Sequence, residues 1–177
     1  MEAAKARIWE AIEEPADAVA NLSDPVVRSH APEGATGFGT GAAACRVEDG
    51  HLLLSEHRIV AVDEMPRRMP HDLLNAQAAT ALATRVGALP EGCADVLRCF
   101  RGLPHRMQLL GEVDGIRFVD DSKATTPHAT VSAVNALPGA VLIAGGRNKG
   151  LDLTPLGASA PRAVVAIGEA ADEVVAA

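Results

Sequence analysis

Aromatic side chains are nearly missing: three Phe, one Trp and no Tyr in 177 residues. A core must then be built from Ala, Val, Leu and Ile. Base stacking on aromatic platforms, a main route to single-stranded nucleic acid, is close to excluded. Cysteine is scarce too. Cys45, Cys93 and Cys99 form no CxxC pair, which argues against a disulfide framework; they read as small buried hydrophobes in a reducing compartment. No apolar run reaches the ~18 residues of a membrane-spanning helix. The opening Met-Glu-Ala-Ala-Lys lacks the charged-then-apolar order of a secretory signal. Positive charge is in deficit, with 16 Lys and Arg against 23 Asp and Glu and a net charge of −7. That field disfavours nucleic acid and anionic membrane. A cytoplasmic protein with no nucleic-acid and no membrane partner is expected.

What is present is a globular balance, 48% hydrophobic and 22% charged. The length suits one ordinary domain or two small or incomplete ones. Residues 2–13 (EAAKARIWEAIE) predict a helix ended by Pro15. DAVANL at 17–22 reads as a strand, Asp24-Pro25 as a turn, and GATGFGTG at 34–41 as a loop. Residues 52–54 and 59–62 suggest a hairpin. The best helix is 72–86, with Asp72 placed to cap its start and Gly87 after its end; a second follows at 94–100. GLPHR at 102–106 breaks the pattern and marks a domain boundary. Beyond it, segments 107–112 and 116–120 flank Asp114-Gly115, a strong hairpin signal, and a helix follows over 127–136. AVLIA at 140–144 and AVVAI at 163–167 read as strands covered on both faces. A short helix at 153–158 and a final helix complete an α/β pattern with a mostly parallel sheet.

Chemistry-bearing residues gather at a few places. Asp120-Asp121-Ser122-Lys123-Ala124-Thr125-Thr126 leaves a strand and runs toward a helix. Ligands of parallel α/β sheets bind at such strand ends, yet a helix N-cap cluster has the same composition. Gly145-Gly146-Arg147-Asn148-Lys149-Gly150 suits an anion site or simply a tight turn. It is not a GxxxxGK[ST] phosphate loop. His71 and Asn75 lie at the start of the long helix, where an Asn offers both a donor and an acceptor to an adenine edge, or is only a surface amide. His105-Arg106 would face a cleft or be a surface pair. Lys5 sits among alanines on the first helix, where a solvated face is the ordinary outcome. The other histidines have no metal-ligand spacing.

Taken in order, HxxxN before an Ala-rich helix, GLPHR, the DG hairpin, DDSKAT and a strand ending in GGRNKG resemble the Mur ligase family. The DSKAT stretch resembles the members that use D-glutamate, and the likeness runs from AAKARI at 3–8 to the end of the chain. It implies an ATP-dependent, amide-forming ligase of bacterial peptidoglycan synthesis, acting as a monomer. Such an enzyme adds D-glutamate to UDP-N-acetylmuramoyl-L-alanine through an acyl phosphate, with Mg2+ and lysines holding the anions together. Carried over by motif, Lys5 corresponds to a carbamylated lysine that helps hold magnesium, and Lys5 with Lys123 forms the catalytic pair. His71, Asn75, His105, Arg106 and Asp121 correspond to nucleotide contacts. Lys123, Thr125 and Lys149 correspond to contacts with the D-glutamate carboxylates. The resemblance implies that these side chains share one cleft between two lobes.

The departures shape the expectation. No GxxGKT phosphate loop occurs in the chain. Asp72 stands where asparagine is frequent, and Thr126 where the motif often ends in asparagine. The chain is therefore read as a fragment. Residues 1–102 would be the last part of a central ATPase-type domain, and 103–177 a truncated Rossmann-like C-terminal domain. The isolated chain is expected to be inactive, and residues 1–102 to be the less stable part because their sheet would expose an edge. A sister Mur or folylpolyglutamate-type ligase and a non-catalytic nucleotide-binding module are the alternatives.

Overall fold

Five strands pair in sequence order within the first of two structural units, Met1–Arg101 and Gly102–Ala177. The computed structural model describes residues 2–177; Met1 lies outside it. Helix α1 spans Glu2–Ala6 and continues as a 3-10 turn over Arg7–Trp9, short of the expected end at residue 13. Ile8 of its apolar stripe is 73% exposed, and a short helix without packing is marginal in water. Strand β1 is Val19–Asn21 and helix α2 is Pro25–His30. The Asp24-Pro25 pair, expected as a turn, starts this helix instead. Asp24 accepts hydrogen bonds from the amides of Val26 (2.8 Å) and Val27 (3.1 Å), and proline takes the first helical position.

Strand β2, Thr36–Phe38, lies inside the glycine-rich stretch expected as a loop. Gly37 lets the strand pass close beneath Leu22: a Cβ there would come within 2.3 Å of Leu22 Cδ1. Strands β3 (Cys45–Glu48), β4 (His51–Leu54) and β5 (His57–Ala61) follow, then helices α3 (Pro70–Arg85) and α4 (Pro90–Cys99). The pairs β1–β2 and β2–β3 are parallel; β3–β4 and β4–β5 are antiparallel. Cys45, Leu52, Ile59, Val60, Met65, Ala76, Ala81, Cys93 and Ala94 form the core. Burial pushes the Cys45 thiol up to about 12, with Cys93 adding to the shift, and raises Cys93 as well. These two are inert packing groups. Cys99, expected to be buried like them, is exposed.

In the second unit β6 (Gln108–Val113) and β7 (Ile116–Asp120) form the expected antiparallel hairpin. Asp114 and Gly115 both take positive φ, 52° and 78°, as the tight primed turn requires. Helix α5 is Pro127–Ala136, capped by Thr126, whose Oγ1 accepts from the Ala129 amide at 3.4 Å. Strands β8 (Val141–Gly145) and β9 (Ala163–Ile167) pair in parallel, and α6 (Ala171–Ala176) follows. The connection between them holds a 3-10 turn over Thr154–Ala158.

The expectation that β8 and β9 are covered on both faces is overturned. Val141, Ile143, Val164, Val165 and Ile167 are each about half exposed or more, because the pair joins no further strand among the described residues. Val134 and Ala170 are the buried hydrophobics of this unit among the described residues. Among the described residues no helix is long and apolar enough to cross a membrane.

Candidate functional site

Strand β7 ends on Asp120, and the chain turns at once because the Asp120 side chain folds back on it. Asp120 Oδ1 accepts from the Ser122 amide at 2.8 Å, a local turn typical of Asp. Oδ2 lies 2.7 Å from His105 Nδ1. An ionised carboxylate only accepts, so Nδ1 carries the proton. The His105 bond, then the Ser122 bonds, hold the Asp120 carboxyl down at about 2.

Two further bonds tie the same segments. Asp121 Oδ1 accepts from the Met107 amide at 3.0 Å, and the Lys123 amide donates to the His105 carbonyl at 3.1 Å. His105 and Met107 sit at φ 63° and 46°, a strained region for residues other than glycine. The Gln108 side chain supports the bend by accepting from the His105 amide at 3.0 Å. His105, Asp121 and Lys123 are thus brought together, with Arg106 exposed between the two strained residues. Lys123 and Thr125 have exposed side chains at the foot of α5.

Lys149 lies on the loop after β8. Gly145 there sits so close to β9 that a Cβ would fall 1.8 Å from the Ile167 carbonyl oxygen. Asn148 shapes the turn: its Oδ1 accepts from the Leu151 amide (2.8 Å), and its Nδ2 donates to the Leu151 carbonyl (3.1 Å) and to Glu173 (2.5 Å). Arg147 pairs with Glu169 at 3.4 Å in solvent. Lys149 itself is exposed, and no hydrogen bond joins it to residues 120–126 among the described residues.

In the first unit His71 and Asn75 stand one turn apart on α3, half-buried and exposed respectively. The helix is not capped by Asp72 as expected. Met69 is the N-cap, and Asp72 sits three residues in, where its Oδ2 accepts from the Met69 amide at 3.2 Å. Oδ1 takes Arg67 Nε (2.8 Å) and Nη2 (2.6 Å), with His71 Nε2 3.5 Å away. Lys5 is exposed on α1.

Sequence reasoning passed over Asn21 and Gln77. Asn21 ends β1 and accepts from the Ser23 amide and hydroxyl at 3.0 and 2.6 Å. Buried Gln77 on α3 accepts from the Gly39 amide, just after β2, at 3.0 Å. Asn21 ends β1 and the Gln77 side chain reaches the end of β2 from α3, so both meet the carboxyl ends of parallel strands, where α/β sheets bind ligands. For Asn21 the available signal was a lone polar residue closing a short apolar run; Gln77 lies inside the helix and carried none. Among the described residues no three His, Cys, Asp or Glu side chains gather as a metal-holding group.

The α/β chain carries HxxxN, GLPHR, DDSKAT and GGRNKG in that order, three of them at or beside ordered loops. Comparison with known proteins makes the class definite: the chain belongs to the Mur ligase family. Curated relatives are named UDP-N-acetylmuramoylalanine--D-glutamate ligase. The one from Frankia casuarinae is 40% identical over 99% of this chain and 40% of its own length. Those from Legionella pneumophila and Paraburkholderia xenovorans are 39% and 44% identical over 70% and 68% of the chain, and 30% and 25% of their own. The chain therefore spans less than half the length of these relatives. No family model matches it. Among solved structures, UDP-N-acetylmuramoylalanyl-D-glutamyl-2,6-diaminopimelate--D-alanyl-D-alanyl ligase from Acinetobacter baumannii superposes with a TM-score of 0.68. It is 20% identical, over 98% of this chain and 44% of that one. A crystal structure of MurF from the same organism gives 0.63 at 21% identity, over 81% and 35%. These two likenesses speak for the fold alone.

Proposed function

We propose that this chain is part of a cytoplasmic, ATP-dependent ligase that joins D-glutamate to UDP-N-acetylmuramoyl-L-alanine in peptidoglycan synthesis. Residues 1–102 would be the end of its central nucleotide-binding domain, and 103–177 the larger part of its C-terminal domain. One observation carries the reading. GLPHR and DDSKAT, the two segments most particular to this kind of ligase, are joined by three hydrogen bonds, between His105 and Asp120, between His105 and Lys123, and between the adjoining Met107 and Asp121, with Lys123 and Thr125 left open to solvent.

The reaction proposed runs in two steps. The alanine carboxylate takes the terminal phosphoryl group of ATP, leaving ADP. The D-glutamate amine then attacks the acyl phosphate, loses a proton, and expels phosphate as the amide forms. Lys123, Thr125 and Lys149 hold the glutamate carboxylates by charge and hydrogen bonding. His71, Asn75, Arg106, His105 and Asp121 serve the nucleotide.

Magnesium would be held mainly by the ATP phosphates and retained waters, with one or two protein oxygens. Among the described residues no three His, Cys, Asp or Glu side chains gather around a metal position, and Lys5, if carbamylated, would supply one ligand group. ATP and Mg2+ are the cofactors this reading calls for. A Mur ligase from Thermotoga maritima with 18% identity is described in complex with ADP.

The test is a fusion that supplies the part of the Frankia casuarinae relative that this chain does not span. ADP formation that requires both UDP-N-acetylmuramoyl-L-alanine and D-glutamate is the expected result, with the 177-residue chain alone inactive. Incorporation of diaminopimelate or lysine in place of D-glutamate would overturn the substrate assignment. A fusion that folds and binds ATP without turnover would favour a non-catalytic module.

A further inference from the structure

The bonds between residues 105–107 and 120–123 do more than shape two loops. Each segment is strained or irregular by itself, and each is held by the other. His105 and Met107 carry left-handed backbone on either side of Arg106. The restraints on them come from Asp120, Asp121 and Lys123, and locally from Gln108. Asp120 has the central part because its two oxygens face in different directions. Oδ1 sets the turn that leads to Lys123, and Oδ2 grips the imidazole of the other segment.

We infer that Asp120 is a positioning residue: it clasps GLPHR to DDSKAT through His105 and so fixes where Arg106 and Lys123 leave the backbone. Among the described residues Asp120 bonds one proposed nucleotide contact, His105, and none of the proposed D-glutamate contacts. Its effect on D-glutamate rests on the ligase reading, whereas the clasp itself does not.

The experiment is residue-resolved amide exchange on the 177-residue chain. The Met107 amide donates to Asp121 and the Lys123 amide to the His105 carbonyl, so these two report the clasp and not the loss of Asp120 as their acceptor. In Asp120→Ala, protection at Met107 and Lys123 should fall by about tenfold, while amides of the β8–β9 pair keep theirs. Asp120→Asn should restore most of it. Its oxygen still accepts from Ser122, and its amide donates to the other tautomer of His105. If Asp120→Ala loosens the whole chain, His105→Leu makes the same measurement with the Ser122 turn intact. Unchanged protection at both amides, or a loss that Asp120→Asn does not relieve, overturns the inference.

Titration with D-glutamate gives a second readout on the same chain. Amide shifts at Lys123 and Thr125 should saturate in the wild type, with a Kd about fivefold weaker in Asp120→Ala and near wild type in Asp120→Asn. Equal Kd values in all three chains would overturn the positioning role. Wild-type chain that shows no shifts would count against the D-glutamate reading, and exchange would still decide the clasp.

Discussion

The two units hold their candidate residues by different means. In residues 1–101, His71 and Asn75 ride on a long helix whose other face is packed on a sheet, with Leu52 and Cys45 fully buried beneath. In residues 102–177, His105, Asp121 and Lys123 are held by loop-to-loop hydrogen bonds over strands that are half bare. A packed scaffold fixes a side chain through the hydrophobic effect, which tolerates the loss of any one polar contact. A bonded loop has no such reserve, and its geometry depends on named donors and acceptors.

The stability expectation drawn from an exposed sheet edge is thereby reversed. Burial places the firmer part in residues 1–101, and exchange should show it. Amides of β4, β5 and α3 should be protected on the order of a hundredfold more than those of β8 and β9; comparable protection in both units would erase the contrast. Single substitutions sharpen it. Leu52→Ala removes a fully buried side chain from the core and should cost about 3 kcal/mol by chemical denaturation. Ile143→Ala, at a strand position 64% exposed, should cost less than about 1 kcal/mol.

How legible these features were depends on the range of the interaction that makes them. The Asp114-Gly115 hairpin and the Pro127 helix were readable because each is specified by adjacent residues, a primed turn in one and an N-cap followed by proline in the other. Strand β2 was hidden because glycine is chosen there for the approach of Leu22, a tertiary demand with no local signature. The exposure of β8 and β9 was equally hidden, since an apolar run announces a strand but not what lies against it. At the candidate site, motif order pointed to Lys123 and Arg106. The partnership of Asp120 with His105 spans 15 residues, and nothing local marks it.

A smaller effect is expected inside the packed unit. Thr80 is 2% exposed on α3, and its hydroxyl has no hydrogen-bond partner among the described residues. The hydroxyl gives up its hydration for nothing that the surrounding side chains return. Thr80→Val keeps the shape and removes the polar atom, and should raise stability by about 1 kcal/mol. Destabilisation of similar size would mean that the hydroxyl has a partner in solution and that this core is less dry than its packing indicates.

The smallest effect belongs to the bonded unit and is a matter of pH. Asp120 is held at about 2 against an ordinary 3.8, first by the His105 bond and then by the Ser122 bonds. Its folded pKa is the lower one, so the charged form is favoured by folding. The contribution is complete above about pH 4 and is lost as pH falls through about 2. Asp120→Asn cannot titrate. Acid unfolding of the two chains should therefore run parallel down to about pH 4 and separate only below it, with the wild type losing stability faster. A separation that already opens near neutrality would assign the pH dependence to a group other than the Asp120 carboxyl.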